Sequence, residues 1–110
     1  MVVIERKAGR PTRGLVPKNI SLFDHQYAAL ERVAEKQGRT FPEVLRSALD
    51  GLNESMAAEE IPASMQSTVV VSRNHITQHQ DEVLKRLSKK TKVSMAHITR
   101  VAVMMWLNAA

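Results

Sequence analysis

The sequence of 110 residues contains no cysteine and has few glycines, prolines or aromatic residues. A chain without cysteine forms no disulfide, thiolate nucleophile, iron–sulfur cluster or cysteine-based zinc site, and it fits a reducing cytoplasm. Four glycines and four prolines are too few for a collagen-like or low-complexity chain. The longest apolar run covers residues 101–107, whereas a membrane helix needs ~20 such residues. Glu5 follows the apolar residues 1–4, so we expect neither a signal peptide nor a membrane partner.

Positive charge exceeds negative charge in this chain. Lysine and arginine number 16, against 11 aspartate and glutamate residues, which gives a net charge of +5. Hydrophobic residues make up 44% of the chain, which is enough to build a packed core. The length is typical of one compact domain. These features predict a small, basic, cytoplasmic protein with nucleic acid as its leading partner class.

The chain contains two copies of one pattern, related by an offset of 54 residues. Self-similarity at a fixed offset marks a repeated structural unit. Polar identities are the informative ones, because apolar agreement arises by chance between any two helical patterns. These identities are Gln26/Gln80, Arg32/Arg86, Lys36/Lys90 and Arg46/Arg100. We therefore predict an internal duplication.

Each copy predicts a strand, a helix, a tight turn and a second helix. In the first copy, residues 18–22 alternate polar and apolar side chains, which is the period of a half-buried strand. Asp24 is the predicted N-cap of the first helix, and Gly38 is expected to end it because glycine tolerates a positive φ. Thr40 is the predicted N-cap of the second helix, with Pro42 in its first turn.

The second copy repeats this order less regularly. It predicts a strand at residues 68–75, with Thr77 as the N-cap of the following helix. Lys92 stands where the first copy has Gly38, so we expect this turn to be strained or differently shaped. Ser94 is the predicted N-cap of the last helix.

Two registers are open for the second strand. The 54-residue offset points Val71, Arg73 and His75 away from the core. It points Ile76 inward, and with it the polar Asn74. The alternative register buries Val71 and starts the helix near Asn74. We favour the first register, although it brings a polar side chain to the core.

The predicted fold class is mainly α with a two-stranded antiparallel β-ribbon. A lone strand leaves its backbone groups without partners, so the strands of the two copies are expected to pair above four helices. The result would be one pseudo-twofold domain. We divide the chain into an N-terminal arm (1–16), a first unit (17–53), an acidic linker (54–67) and a second unit (68–110).

The order of strand, helix, glycine turn and capped helix resembles the ribbon-helix-helix family of DNA-binding proteins, of the Arc and MetJ type. The duplicated form is similar to tandem members of that family. The resemblance implies a ribbon that enters the major groove of double-stranded DNA, while the N-termini of the second helices hold phosphates. It further implies a transcriptional repressor or regulator, or an accessory factor of plasmid transfer by conjugation or of plasmid partition, in the bacterial cytoplasm or nucleoid.

This resemblance predicts two sets of DNA contacts within the repeats. Base edges would be read by outward side chains of the ribbon, and asparagine and arginine are well suited to adenine and guanine, respectively. The predicted base-reading residues are Asn19, Ser21, Arg73 and His75. Phosphates would be held by free backbone N–H groups and by cations near the helix starts. The predicted phosphate-binding residues are Lys18, Arg39, Thr40, Lys92 and Ser94.

The N-terminal arm supplies a third predicted contact. It is basic and lacks periodicity, so we expect it to be flexible when free. Its predicted DNA contacts are Arg6, Lys7, Arg10 and Arg13. Residues 9–11 partly resemble an AT-hook core, which lays arginine into a narrow minor groove, but Ala8 stands where arginine is expected. A phosphate-binding arm is the interpretation that we favour, and a solubilising tail is the other alternative.

No enzymatic constellation is found in the sequence. We therefore expect no catalytic residue, no cofactor and no metal. His75 and His79 have the i, i+4 spacing of metal ligands on a helix, but Ile76 replaces the glutamate of the metalloprotease pattern and no third ligand is evident.

Other functions remain open. Residues 101–107 are apolar around the whole last helix, which indicates either a central core helix or a contact between molecules bound side by side on DNA. A protein-interaction module such as an antitoxin and a non-specific architectural DNA binder are the alternative functions.

Overall fold

The elements follow the order strand, helix, helix, and this order occurs twice. The computed structural model describes residues 14–109. Its elements are β1 (Leu15–Phe23), α1 (Asp24–Gln37), α2 (Phe41–Leu49), β2 (Val69–Thr77), α3 (Gln78–Thr91) and α4 (Met95–Ala109). The described part of the chain is thus mainly helical with one two-stranded antiparallel sheet, as the sequence predicts. This architecture is compatible with a ribbon-helix-helix fold.

The two strands form a ribbon of nine paired positions, from Leu15 opposite Thr77 to Phe23 opposite Val69. Ile20, Leu22 and Ile76 are buried on one face. This is the first of the two predicted registers. The alternative register is wrong, because Val71 is exposed and α3 begins only at Gln78. The buried Asn74 donates a hydrogen bond of 2.8 Å to the Ser72 hydroxyl, so its amide nitrogen has a polar partner on the same strand.

The helix ends follow local capping rules. Thr77 accepts a hydrogen bond from the backbone N–H of Gln80, and Ser94 accepts one from the backbone N–H of His97. These predicted N-caps are confirmed. The N-cap of α1 is Phe23, one residue before the predicted Asp24. This cap has no side-chain oxygen of its own, so the Gln26 side chain accepts from the Phe23 N–H instead.

The two turns between helices have the same shape. Gly38 has φ 66° and ψ 33°, and Lys92 has φ 62° and ψ 26°. The expected strain at Lys92 is therefore present, since a side chain with Cβ is disfavoured in this left-handed region. The turn at Lys92 is not differently shaped.

The core lies between the inward face of the ribbon and the four helices. Its largest fully buried side chains come from all of these elements; among them are Leu22, Leu30, Leu45, Leu49, Ile76, Leu84 and Ile98. Truncation of a buried leucine to alanine costs about 2–5 kcal/mol. Among the described residues, no helix has the length and apolar character to cross a bilayer.

The linker packs against the body of the protein. It contains two short 3₁₀ turns, Glu54–Ala57 and Ala63–Met65. Three linker residues, Met56, Ala57 and Ile61, belong to the buried core. The His25 ring contacts the Met65 carbonyl oxygen, and His97 Nε2 lies 2.8 Å from the Glu59 carbonyl oxygen.

Helix α4 is largely a core helix. Val103 is fully buried, while Met104 and Leu107 are half-buried against the core. The interpretation of residues 101–107 as part of a central core helix therefore accounts for most of this apolar surface. Met105 remains 38% exposed.

Hydrogen bonds across the ribbon ends occur in matched pairs. The N–H of Asp24 donates to the Thr68 carbonyl at 2.8 Å, and the N–H of Gln78 donates to the Gly14 carbonyl at 2.9 Å. Donor and acceptor in each bond correspond to those in the other through the 54-residue offset. The first residue of α1 is thus bonded to the residue before β2, and the first residue of α3 is bonded to the residue before β1.

Candidate nucleic-acid interface

Three cross-strand pairs form the middle of the outward face of the ribbon. Alternation along the strands turns every second side chain away from the core. The pairs are Pro17 opposite His75, Asn19 opposite Arg73, and Ser21 opposite Val71. Five of these six residues are exposed and Ser21 is half-buried. All four predicted base-reading residues therefore share this face.

This face carries hydrogen-bonding groups and positive charge. Neither strand contains an acidic residue. Arg73 and Asn19 stand opposite each other at the middle of the ribbon, and together they offer the guanidinium and amide groups that pair bidentately with base edges. A two-stranded ribbon has the dimensions of the major groove, which is about 12 Å wide.

Two arginines anchor the strands from below. Arg46 of α2 donates from Nη1 to the His75 carbonyl at 2.8 Å. Arg100 of α4 donates from Nε to the Ser21 carbonyl at 3.2 Å, and its guanidinium lies 5.1 Å from the centre of the Phe23 ring. Each anchored carbonyl belongs to a predicted base-reading residue. The arginines therefore hold the backbone from which those side chains project.

Two buried glutamines complete this arrangement. Gln26 donates from Nε2 to the Arg100 carbonyl at 2.9 Å. Gln80 donates to the Arg46 carbonyl at 2.9 Å and to Asp50 Oδ1 at 2.8 Å. Each first helix is thus bonded to the second helix of the other half. These two glutamines and two arginines are identical between the repeats, but identity between repeats does not indicate which residues they contact.

Lys18 lies on the inward side of the ribbon. Its Nζ is 2.7 Å from Asp81 Oδ1, and the two side chains are only 17% and 13% exposed. This hydrogen bond lowers the pKa of the Asp81 carboxyl, and the neighbouring Lys85 acts in the same direction. The ammonium group predicted to bind phosphate is therefore committed to a carboxylate in this structure, away from the outward face.

The N-terminus of α2 is closed by its own residues. The Thr40 hydroxyl accepts from the Glu43 N–H at 3.3 Å, and Glu43 Oε1 accepts from the Thr40 N–H at 2.8 Å. The hydrogen bonds from Thr40 lower the pKa of Glu43, so its carboxylate is charged at neutral pH. Arg39 is half-buried and donates to the Glu43 carbonyl.

The N-terminus of α4 has a different environment. Ser94 and Lys92 are exposed there, and the third residue of the helix is His97 instead of a glutamate. Linker residues lie next to this turn. A cleft of about 490 Å³ contains His97 and Arg100, and linker residues Glu59 and Glu60 form part of its wall.

A second cleft lies at the other end of the ribbon, beside α2. It has a volume of about 300 Å³. Four of its lining residues correspond to residues of the first cleft through the 54-residue offset. The corresponding residues are Thr77/Phe23, Arg39/Val93, Glu43/His97 and Arg46/Arg100. Each end of the ribbon is therefore flanked by a cleft with an arginine in its wall.

Two other sequence predictions concern the N-terminal arm and a pair of histidines. The arm residues Arg6, Lys7, Arg10 and Arg13 lie outside the described residues. His75 belongs to β2 and His79 to α3, so their spacing does not place them on one helical face.

Comparison with models of protein families, with curated proteins and with solved structures finds no match for this chain.

Proposed function

We propose that this protein binds double-stranded DNA by inserting the ribbon of β1 and β2 into the major groove. The observation that carries the proposal is the outward face of the ribbon, where acid-free strands present Asn19, Ser21, Arg73 and His75 above a packed core. Within residues 14–109 the arginines of α2 and α4 bond to strand carbonyls, which leaves these four side chains available for new hydrogen bonds.

The proposal includes a pseudo-twofold arrangement of two ribbon-helix-helix units in one chain. It is supported by the Asn19–Arg73 pair, whose members correspond through the 54-residue offset and face each other at the ribbon centre. The paired arginine and glutamine bonds on both sides also support it. A twofold axis that passes midway between Asn19 and Arg73 accounts for every one of these pairs.

Base reading is proposed to be shared between the strands. Arg73 is expected to contact guanine and Asn19 to contact adenine, both near the centre of the site. Ser21 lies toward one end and His75 toward the other. The centre of the site is therefore read by both strands and its two ends by different strands, and the site is asymmetric because the two repeats carry different side chains.

Phosphate contacts are proposed beside the two ends of the ribbon. Ser94 and Lys92 are the favoured pair, because backbone N–H groups at a helix start attract anions and the third residue of α4 is His97 instead of a glutamate. Thr40 and Arg39 would contribute less, since Glu43 already accepts hydrogen bonds at the start of α2. The basic arm would add contacts to neighbouring phosphates.

The biological effect is proposed to be occupancy of a DNA site. A bound molecule would block a promoter, or would organise DNA for plasmid transfer or partition. This role places the protein in the bacterial cytoplasm or nucleoid.

The test is a binding selection with the full chain on a random duplex library at ~0.15 M salt, where purely electrostatic binding is weakened. The Asn19→Ala/Arg73→Ala double variant is the probe, and the exposed Lys89→Ala on α3 is the matched control. We expect a defined motif that the double variant loses and the control retains. Salt-sensitive binding without a motif would instead indicate an architectural binder. No binding to duplex DNA would overturn the proposal and favour a protein-interaction module.

A further inference from the structure

Exposed apolar side chains are concentrated on the outward face of the ribbon. Among the described residues, three large hydrophobic side chains are exposed, namely Val71 at 61%, Val69 at 43% and Met105 at 38%. Two of the three lie on the outward face of β2. The exposed pair of valines therefore leaves apolar surface in contact with water next to a row of polar groups.

The two valines mark one end of the ribbon. Val71 is opposite Ser21, and Val69 is opposite Phe23. Phe23 is buried to 7% exposure, and it contacts the Arg100 guanidinium and stacks with His25. We call Val69 and Val71 the valine end. It is a firmly supported surface, since the residues opposite it contact Arg100 of α4 and His25 of α1.

We propose that the valine end contacts the C5-methyl groups of thymine. This inference rests on the proposed function, since it requires the ribbon to lie in the major groove. Among the groups that base pairs present in that groove, the thymine methyl is the apolar one. A valine cannot donate or accept a hydrogen bond, so it gains free energy there only by burying apolar surface.

The inference predicts where thymine occurs within the site. The methyl contacts lie on the side of the Arg73–Asn19 centre that faces Ser21 and Val71, away from His75. Pro17 takes the position of Val71 in the first repeat, and it is accompanied by the polar His75. Thymine dependence is therefore expected in one half of the site.

The experiment replaces single thymines by uracil in a duplex selected by the full chain. This substitution removes the methyl group alone. We expect affinity to fall about fourfold at one or two adjacent positions in one half-site, the factor that corresponds to burial of one methyl-sized group. In the double variant Val69→Ser/Val71→Ser, which removes the side-chain methyl groups of the valine end, the same uracil substitutions should have no further effect. Met105→Thr, a change at the exposed apolar residue of α4, should keep the full sensitivity.

The outcomes separate the two proposals. If the duplex binds equally well with uracil at every position, or if Val69→Ser/Val71→Ser keeps the sensitivity, recognition of thymine methyls by the valine end is overturned while DNA binding stands. If no duplex is bound, the proposed function is overturned and this inference with it. Circular dichroism of both variants checks that the substitutions at these exposed positions leave the fold intact.

Discussion

Arg46 in α2 donates a hydrogen bond of 2.8 Å to the carbonyl oxygen of His75 in β2. The second helix of one half therefore fixes the strand of the other half. Arg100 makes the corresponding bond to Ser21. The surface proposed to read DNA is thus positioned by side chains on the opposite side of the ribbon.

Replacement of Arg46 by methionine should weaken both folding and DNA binding. The substitution keeps apolar length but removes the donor to the His75 carbonyl, which is worth about 1–2 kcal/mol of unfolding free energy. Urea denaturation would measure this loss, with the exposed Arg32→Met as control. Equal stability of the two variants would show that the anchor contributes nothing.

Asn19 and Arg73 should be energetically coupled in DNA binding. Each alanine substitution is expected to cost about 1–3 kcal/mol and to relax preference at one base pair. Because the two residues face each other, their effects should deviate from additivity by at least about 0.5 kcal/mol in a double-mutant cycle. Uniform loss on every sequence after Arg73→Ala would reassign Arg73 to a phosphate contact.

Substitutions at Lys92 should separate its backbone strain from its charge. Lys92 has φ 62°, so Lys92→Gly should raise the free energy of unfolding by about 1 kcal/mol. The variant should nevertheless bind DNA more weakly, because it loses a proposed phosphate contact. Lys92→Asn tolerates the same conformation and serves as a second variant without the charge. Unchanged DNA affinity in both variants would remove Lys92 from the interface.

The Lys18–Asp81 ion pair should stabilise the protein at neutral pH and lose its effect in acid. Lys18 lowers the pKa of Asp81 below its usual value of 3.8. A lowered pKa in the folded state means that this contribution is complete above the unfolded pKa and is lost as the pH falls through the folded pKa. Asp81→Asn should therefore cost roughly 1–3 kcal/mol at pH 7 and progressively less below pH ~4.

The matched control for this ion pair is Glu54→Gln. Glu54 pairs with Lys90, but the two side chains are 60% and 63% exposed. Solvent screens such a pair, so the substitution should have little effect on stability at either pH. A pH-independent cost of Asp81→Asn would contradict the linkage argument.

Deletion of residues 1–13 should flatten the salt dependence of DNA binding and leave sequence preference intact. The slope of log affinity against log salt should decrease by about 0.9 for each phosphate that the arm no longer neutralises. A variant of full length with glutamine at Arg6, Lys7, Arg10 and Arg13 tests whether charge alone accounts for the change. If sequence preference disappears in both, the arm reads bases.

Local patterns in the sequence were sufficient to predict most of the fold. The alternation at residues 18–22 indicated β1, and the caps at Thr40, Thr77 and Ser94 indicated where three helices begin. These features depend on neighbours within a few residues. The offset between the repeats also favoured the observed register, because it gives Arg73 the outward orientation of its counterpart Asn19.

Contacts between distant parts of the chain were not predictable in the same way. The sequence predicts Lys18 as a cation available to phosphate. Its ammonium group instead donates a hydrogen bond to Asp81, 63 residues away, on the inward side of the ribbon. Gln26 and Gln80 stood out as identities, yet their acceptors are carbonyls in the other half of the chain. Periodicity gives no information about such partners. It also did not show that the linker contributes Met56 and Ile61 to the core.

The joining of β1 and β2 within one chain has a consequence for behaviour at low concentration. A ribbon shared by two separate molecules disappears on dilution, because its folding requires a collision. Here both strands are connected through the packed linker, so ribbon formation is a first-order process. Its melting temperature should not depend on protein concentration, and a single DNA site should fill in proportion to free protein even when only a few molecules are present.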